Sequence, residues 1–241
     1  MNTALIIPAP NEEQAIGVTL GRVPRGLYTV VIVADNGSTD RTAEIARAHG
    51  AVVVHEPERG YGAACLRAFA ALPAGVETVV FMDADSSDDP ADAARLLSPI
   101  EQGAADMVIG SRTRGGAEPG SLLPHQRLGN WLATSLIAAV YGFRYTDLGP
   151  FRSIRATALA RLGMCDRNYG WTIEMQVKAL RAGLRVAEIP VSYRKRIGTS
   201  KISGNLKASV RAGVKILYVF FRLAAGGRSG GARPRNCTIK S

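Results

Sequence analysis

The sequence predicts an α/β protein. Its centre is a doubly wound, mostly parallel sheet with helices on both faces, and a C-terminal amphipathic helix follows. Three observations carry this. Over residues 1–110, strand-length runs of Val, Ile and Leu alternate with helix-length segments in the order β-α-β-α-β-α-β-α-β. The runs are apolar almost throughout, as strands covered on both faces are. Most of them end in polar or acidic residues, at the sheet edge where open α/β sheets bind ligands.

The elements follow in order. Residues 3–8 form a first strand that breaks into Ala9-Pro10-Asn11-Glu12-Glu13. Asn11 caps a helix to about residue 21, with Glu12 and Glu13 in its first turn. Residues 28–34 are a second strand, ending in Asp35-Asn36-Gly37-Ser38-Thr39-Asp40 and a helix to about residue 49. A short strand at 51–54 precedes a helix opened by Gly60-Tyr61-Gly62. Residues 79–82 are a buried strand ending in Asp83-Ala84-Asp85. In extended chain these two carboxylates point the same way, roughly 7 Å apart. Two anions so placed need a cation between or beside them, and a hard divalent ion that also binds phosphate oxygens meets that need. A helix from Pro90 and a strand at 106–110, leading to Ser111-Arg112, complete this half.

Residues 115–120 read as a mobile loop over the site. An apolar helix at 127–143 is too short and interrupted to span a membrane. A short strand at 151–154, helices at 157–162 and 171–182, and a strand at 185–189 follow. Residues 193–201 are a basic loop. The last helix, at 203–225, carries an apolar stripe (Leu206, Val210, Val214, Leu217, Phe221) beside a basic line (Lys207, Arg211, Lys215, Arg222). It fits either a membrane-interface helix or a docking helix with a solvated basic face. The Gly-, Arg- and Ser-rich segment 226–241 reads as a disordered tail.

Charge is segregated. Residues 1–120 hold 9 Lys/Arg and 16 Asp/Glu, and residues 121–241 hold 21 and 4, with no acid after Glu188. The second half therefore meets something anionic. Nucleic acid is excluded as the partner, because converging carboxylates repel phosphate without a metal. Three separated cysteines (Cys65, Cys165, Cys237) fit a reducing compartment and form no zinc or disulfide pattern. Residues 1–8 run straight into a strand-like segment, so no signal peptide is expected. A dinucleotide site is excluded because the first loop is acidic and lacks Gly-x-Gly-x-x-Gly. A nucleotidyltransferase would need a glycine-rich basic first loop.

Four segments carry a resemblance: residues 8–13 (Pro-Ala-Pro-Asn-Glu-Glu), 35–40, 60–64 and 82–90 (Met-Asp-Ala-Asp-Ser-Ser-Asp-Asp-Pro). In order and spacing they resemble family 2 glycosyltransferases of the GT-A fold, over residues 1–112. Residues 198–203 (Gly-Thr-Ser-Lys-Ile-Ser), with 149–152 and 169–174, look like the dolichyl- or polyprenyl-phosphate sugar transferase branch. The resemblance implies a catalytic domain at 1–202. Its nucleotide-sugar half would be 1–112 and its acceptor half 113–202. It implies inverting transfer from a UDP- or GDP-linked sugar with Mg²⁺ or Mn²⁺, on the cytoplasmic face of a membrane. Pro8, Pro10, Glu12 and Ala84 would line the nucleotide pocket, and Asp35 would hold the base. Asp83 would face ribose and metal, Asp85 would ligate the metal, and Arg112 would contact donor phosphates. Lys201 with Lys195 or Arg196 would hold the acceptor phosphate or leaving diphosphate. A lipid phosphate acceptor needs no base; a sugar or polyol hydroxyl would need Asp147 or Glu174 to remove a proton. Two departures stand out. Asn36 replaces a second acid, and Ser87 replaces the glutamine that helps bind metal in that branch.

Overall fold

A computed structural model describes residues 1–198 and 206–226. The strands are β1 (Thr3–Ala9), β2 (Val30–Asp35), β3 (Val52–His55), β4 (Thr78–Phe81), β5 (Met107–Ser111), β6 (Arg152–Arg155) and β7 (Val186–Pro190). The helices are α1 (Ile16–Gly21), α2 (Thr42–Ala48), α3 (Tyr61–Ala70), α4 (Ala93–Glu101), α5 (Arg112–Gly115), α6 (Pro124–Tyr141), α7 (Ala156–Leu162), α8 (Trp171–Arg181) and α9 (Leu206–Gly226).

One seven-stranded sheet runs β3-β2-β1-β4-β6-β5-β7 and draws on both sides of residue 112. Every pairing is parallel except those of β6, which lies antiparallel between β4 and β5. The parallel strands therefore all end on one edge, which collects the polar turns. Alternation within strands divides the core. Ile6, Ile32, Val79 and Phe81 pack toward α3, α6, α8 and α9, while Leu5, Ile7, Val33 and Val80 pack toward α1, α2 and α4. Phe81 meets the buried Trp171 edge-on, with ring centroids 6.0 Å apart.

Several expectations change. Asn11 does not cap a helix. It sits at φ 49°, and its Oδ1 accepts from Thr39 N at 2.7 Å, which ties the loop after β1 to the loop after β2. The chain turns after Phe81, so Asp83 and Asp85 are not two residues of one extended strand. Residues 116–121 are stitched down. Ala117 bridges to Tyr193, Glu118 N donates to Tyr193 O, and Lys195 N donates to Glu118 Oε2.

The last helix is apolar on two sides. Ala212, Val219, Phe220 and Leu223 are buried against α6 and α8. Lys215 Nζ reaches the buried Asp166 at 3.0 Å, and Arg181 donates to Leu223 O. Docking thus uses a different face from the stripe read in the sequence. Val210, Val214 and Phe221 from that stripe are exposed, Val214 at 62%. Nearby on α6, Leu128 and Trp131 (60%) are exposed too. Among the described residues, no helix is long and apolar enough to cross a membrane.

Candidate active site

The turn after β4 is the centre of the site. Asp85 is buried, and its Oδ1 accepts from Ser87 N at 3.0 Å and Ser87 Oγ at 2.5 Å. Its Oδ2 is buried, receives no aligned hydrogen bond from the described residues, and lies against the Arg196 guanidinium. Ser87 therefore spends its hydroxyl on orienting Asp85. The Arg112 guanidinium stands 5.0 Å over the Tyr193 ring.

Tyr61, the first residue of α3, is near enough to Asp83 to favour its charged form. Burial raises the Asp83 carboxyl above the ordinary range, although Arg196 and Arg112 pull it down. Asp88 Oδ2 accepts from Asp83 N at 3.3 Å, while Asp88 Oδ1 has no hydrogen-bond partner among the described residues. Burial first, then the Asp83 charge, pushes Asp88 up to about 8.

Arg112 follows β5 and is locked. Its N and Nε donate to Asp147 Oδ2 and its Nη2 to Asp147 Oδ1, each at 2.8 Å. Burial opposes the Arg112 charge, but the fully buried Asp147 more than offsets this and holds the guanidinium above its ordinary pKa. Asp147 does not stand as a free base: both oxygens serve Arg112. Residues that sequence reading passed over hold its turn. Asn130 Oδ1 accepts from Leu148 N, Gln176 Nε2 donates to Asp147 O, and Glu188 accepts from Thr146 N and Asp147 N. Glu174 is likewise committed elsewhere. It is buried, accepts from Cys165 N and Asp166 N, and pairs with Lys178 at 2.8 Å.

A cavity of about 520 Å³ opens from this turn. Asp83, Arg112, Tyr193, Lys195 and Arg196 line its polar end, and Leu132, Ala133, Leu148, Ile216 and Leu217 line apolar walls from α6, α9 and the turn between. Pro8, Pro10, Glu12 and Asp35 lie on the same sheet edge, outside the cavity. Pro8 pairs with Ala34 and Ala9 with Asp35 in the β1–β2 register. Asp35 accepts from Ser38 N and contacts His55 Nδ1, both at 3.1 Å. Ala84 is buried, and its carbonyl accepts from Thr19 Oγ1. Asn36 ties the β3–α3 loop: its Nδ2 donates to Glu56 O and Glu58 O, and its Oδ1 accepts from Gly60 N. A carboxylate there has no hydrogens for the two carbonyls. Lys201 lies outside the described residues.

The sequence pattern described as "Glycosyl transferase family 2" matches residues 4–163. The chain belongs to this family. An uncharacterised glycosyltransferase of Mycobacterium tuberculosis is 37% identical over 210 residues, covering 86% of this chain and 93% of that protein. The polyprenol monophosphomannose synthase of Mycolicibacterium smegmatis is 31% identical over 229 residues, covering 84% and 82%. The undecaprenyl-phosphate mannosyltransferase of Micrococcus luteus is 30% identical over 219 residues, covering 86% and 89%. Among solved structures, glucosyl-3-phosphoglycerate synthase of M. tuberculosis, crystallised with Mn²⁺, UDP and its product, superposes with a TM-score of 0.74. It is 22% identical, covering 93% of this chain and 80% of that one. The protein is thus a glycosyltransferase whose fold is that of GT-A enzymes.

Proposed function

We propose that the protein moves a sugar from a nucleoside-diphosphate sugar to the phosphate of a polyprenyl lipid, with inversion at the anomeric carbon. The observation that carries this is the cavity. Its polar end presents Arg112, Lys195 and Arg196 to an anion, and its walls are apolar helix faces. The outer faces of the same two helices expose Leu128, Trp131, Val210, Val214 and Tyr218, a surface suited to a lipid interface. Relatives at 30% and 31% identity bear names with undecaprenyl phosphate and polyprenol acceptors.

The residues fit a divalent cation. Asp85 Oδ2 is a buried anionic oxygen already facing a positive group, and Asp88 Oδ1, three residues on in the same turn, has no donor among the described residues. Among the described residues no three His, Cys, Asp or Glu form a complete cage, so donor phosphates would supply the remaining oxygens. Bound there, Mg²⁺ or Mn²⁺ would stabilise the charge that develops on the leaving diphosphate. Asp85 is the assigned ligand, with Asp83 toward the ribose and metal shell. Asp35 is assigned to the base, and Pro8, Pro10, Glu12 and Ala84 to the nucleotide groove. Arg112, held rigid by Asp147, presents fixed positive charge to the donor phosphates. An ionised lipid phosphate attacks without a base, which suits a site whose two candidate bases are engaged elsewhere.

The fold neighbour acts on a soluble phosphorylated acceptor, which would use the same cations. Transfer assays with UDP- and GDP-sugars against undecaprenyl phosphate and 3-phosphoglycerate decide between them. Label moving into the lipid supports the proposal. Label moving only into the soluble acid refutes the lipid reading. Val214→Glu with Tyr218→Glu should release the protein from anionic vesicles, and unchanged binding would reject the interface.

A further inference from the structure

The Arg196 guanidinium occupies the one Asp85 oxygen that the metal reading assigns to the cation. We propose that Arg196 is a placeholder cation: it neutralises Asp85 in the empty site, and leaves it for the cavity when the divalent ion takes Oδ2. The inference rests on the assignment of Asp85 as metal ligand.

Three observations carry it. First, Asp85 is 2% exposed and Ser87 saturates its other oxygen, so Oδ2 without a cation would be a buried, uncompensated charge. Among the described residues, Arg196 is the cation in contact with it. Second, the loop carrying Arg196 is pinned on both sides to that same turn. Arg194 N donates to Ser87 O at 2.8 Å, and Ile197 N donates to Asp85 O at 2.9 Å. The backbone can thus stay in place while the side chain alone moves. Third, the Arg196 side chain is one-third exposed and lines the cavity. A rotation off Asp85 delivers its charge among Lys195, Tyr193 and Arg112, where anionic groups of donor and acceptor meet. Its neighbours are not equivalent. Arg112 is bound by Asp147, and the Arg194 guanidinium is bound by Asp89 at 2.6 Å.

The exchange has a consequence for order. An anionic acceptor finds the positive charge of Arg196 free only after the metal and donor are bound. Donor binding therefore prepares the acceptor end of the cavity.

The test is Mn²⁺ binding to the full chain without nucleotide, followed by the free-ion electron paramagnetic resonance signal. Arg196→Met should tighten Mn²⁺ binding about tenfold, since a competing and repelling charge is gone. Arg194→Met removes an equal charge that does not touch Asp85, and should change the affinity by less than about threefold. With Mn²⁺ saturating, Arg196→Met should weaken UDP binding, the opposite direction. Arg196→Gln serves if the methionine variant does not fold. Unchanged or weaker Mn²⁺ binding in the Arg196 variants overturns the proposal while leaving the metal site standing. Where wild type binds Mn²⁺ only with UDP present, the same comparison is made at saturating UDP. If wild type binds no Mn²⁺ even then, or Asp85→Asn binds it equally, the metal assignment itself fails and the proposal with it.

Discussion

Replacing Asp147 by Asn separates a scaffold carboxylate from a catalytic base. Asp147 is fully buried and accepts three N–H groups of Arg112 at 2.8 Å, two from the side chain and one from the backbone. Asn keeps the shape but offers one carbonyl oxygen, and sets an amide N–H₂ against a guanidinium that is itself mostly buried. One charge-assisted bond lost is worth roughly 1.5–3 kcal/mol, and stranding one partner of a buried pair costs about 3–5 kcal/mol. The expected loss is therefore about 3–5 kcal/mol, a large share of the ~5–15 kcal/mol typical of a folded domain. Urea unfolding followed by circular dichroism measures it, and the donor KM should rise in parallel because Arg112 is no longer held. The double variant Arg112→Met, Asp147→Leu should regain much of the stability and none of the donor binding, since apolar replacement of a buried pair is often neutral. An unchanged urea midpoint in Asp147→Asn, with kcat reduced about a hundredfold or more, would refute this reasoning and restore Asp147 as a base.

Glu174→Gln should act on stability, lowering it by about 2–4 kcal/mol with the KM for donor unchanged, because Glu174 holds Cys165 N, Asp166 N and Lys178 away from the cavity; denaturation and steady-state kinetics check both halves. A methyl group at Gly62 would lie 1.9 Å from the Asp166 carbonyl oxygen, a backbone atom, so Gly62→Ala should cost about 3 kcal/mol in the same unfolding assay. The hydrogen bond from Arg185, first among its causes, lowers Asp106 to about 2. A depressed carboxylate contributes stability above its unfolded pKa of about 3.9 and loses it as pH falls through about 2. The urea midpoint of wild type should therefore fall more steeply between pH 4 and pH 2 than that of Asp106→Asn.

The polar ends of β1, β2, β4 and β5 were legible because parallel strands place their carboxyl ends on one edge, whatever the sheet order. The order itself was not legible. β6 follows β5 by some forty residues of chain yet inserts antiparallel between β4 and β5, a choice made by packing of the second half. The engagement of Asp147 escaped the sequence for a related reason. Arg112 precedes it by 35 residues, and nothing local marks the pair. Helical spacing on α9 revealed apolar residues but could not say which of two apolar sides would dock. Asn11 reads locally as a cap, and its contact with Thr39 in the loop after β2 places it elsewhere. The resemblance implied glutamine in place of Ser87. The structure adds that its hydroxyl orients Asp85 and leaves a single oxygen for a cation.

The central claim is that Asp85 organises a metal–diphosphate centre. Calorimetric titration of UDP and GDP, with and without Mn²⁺, on wild type and Asp85→Asn tests it most directly. One of the two nucleotides should bind wild type in the presence of Mn²⁺ at least tenfold more tightly than without it, and Asp85→Asn should lose that enhancement. Nucleotide binding that ignores Mn²⁺, or an enhancement that survives in Asp85→Asn, would contradict the account.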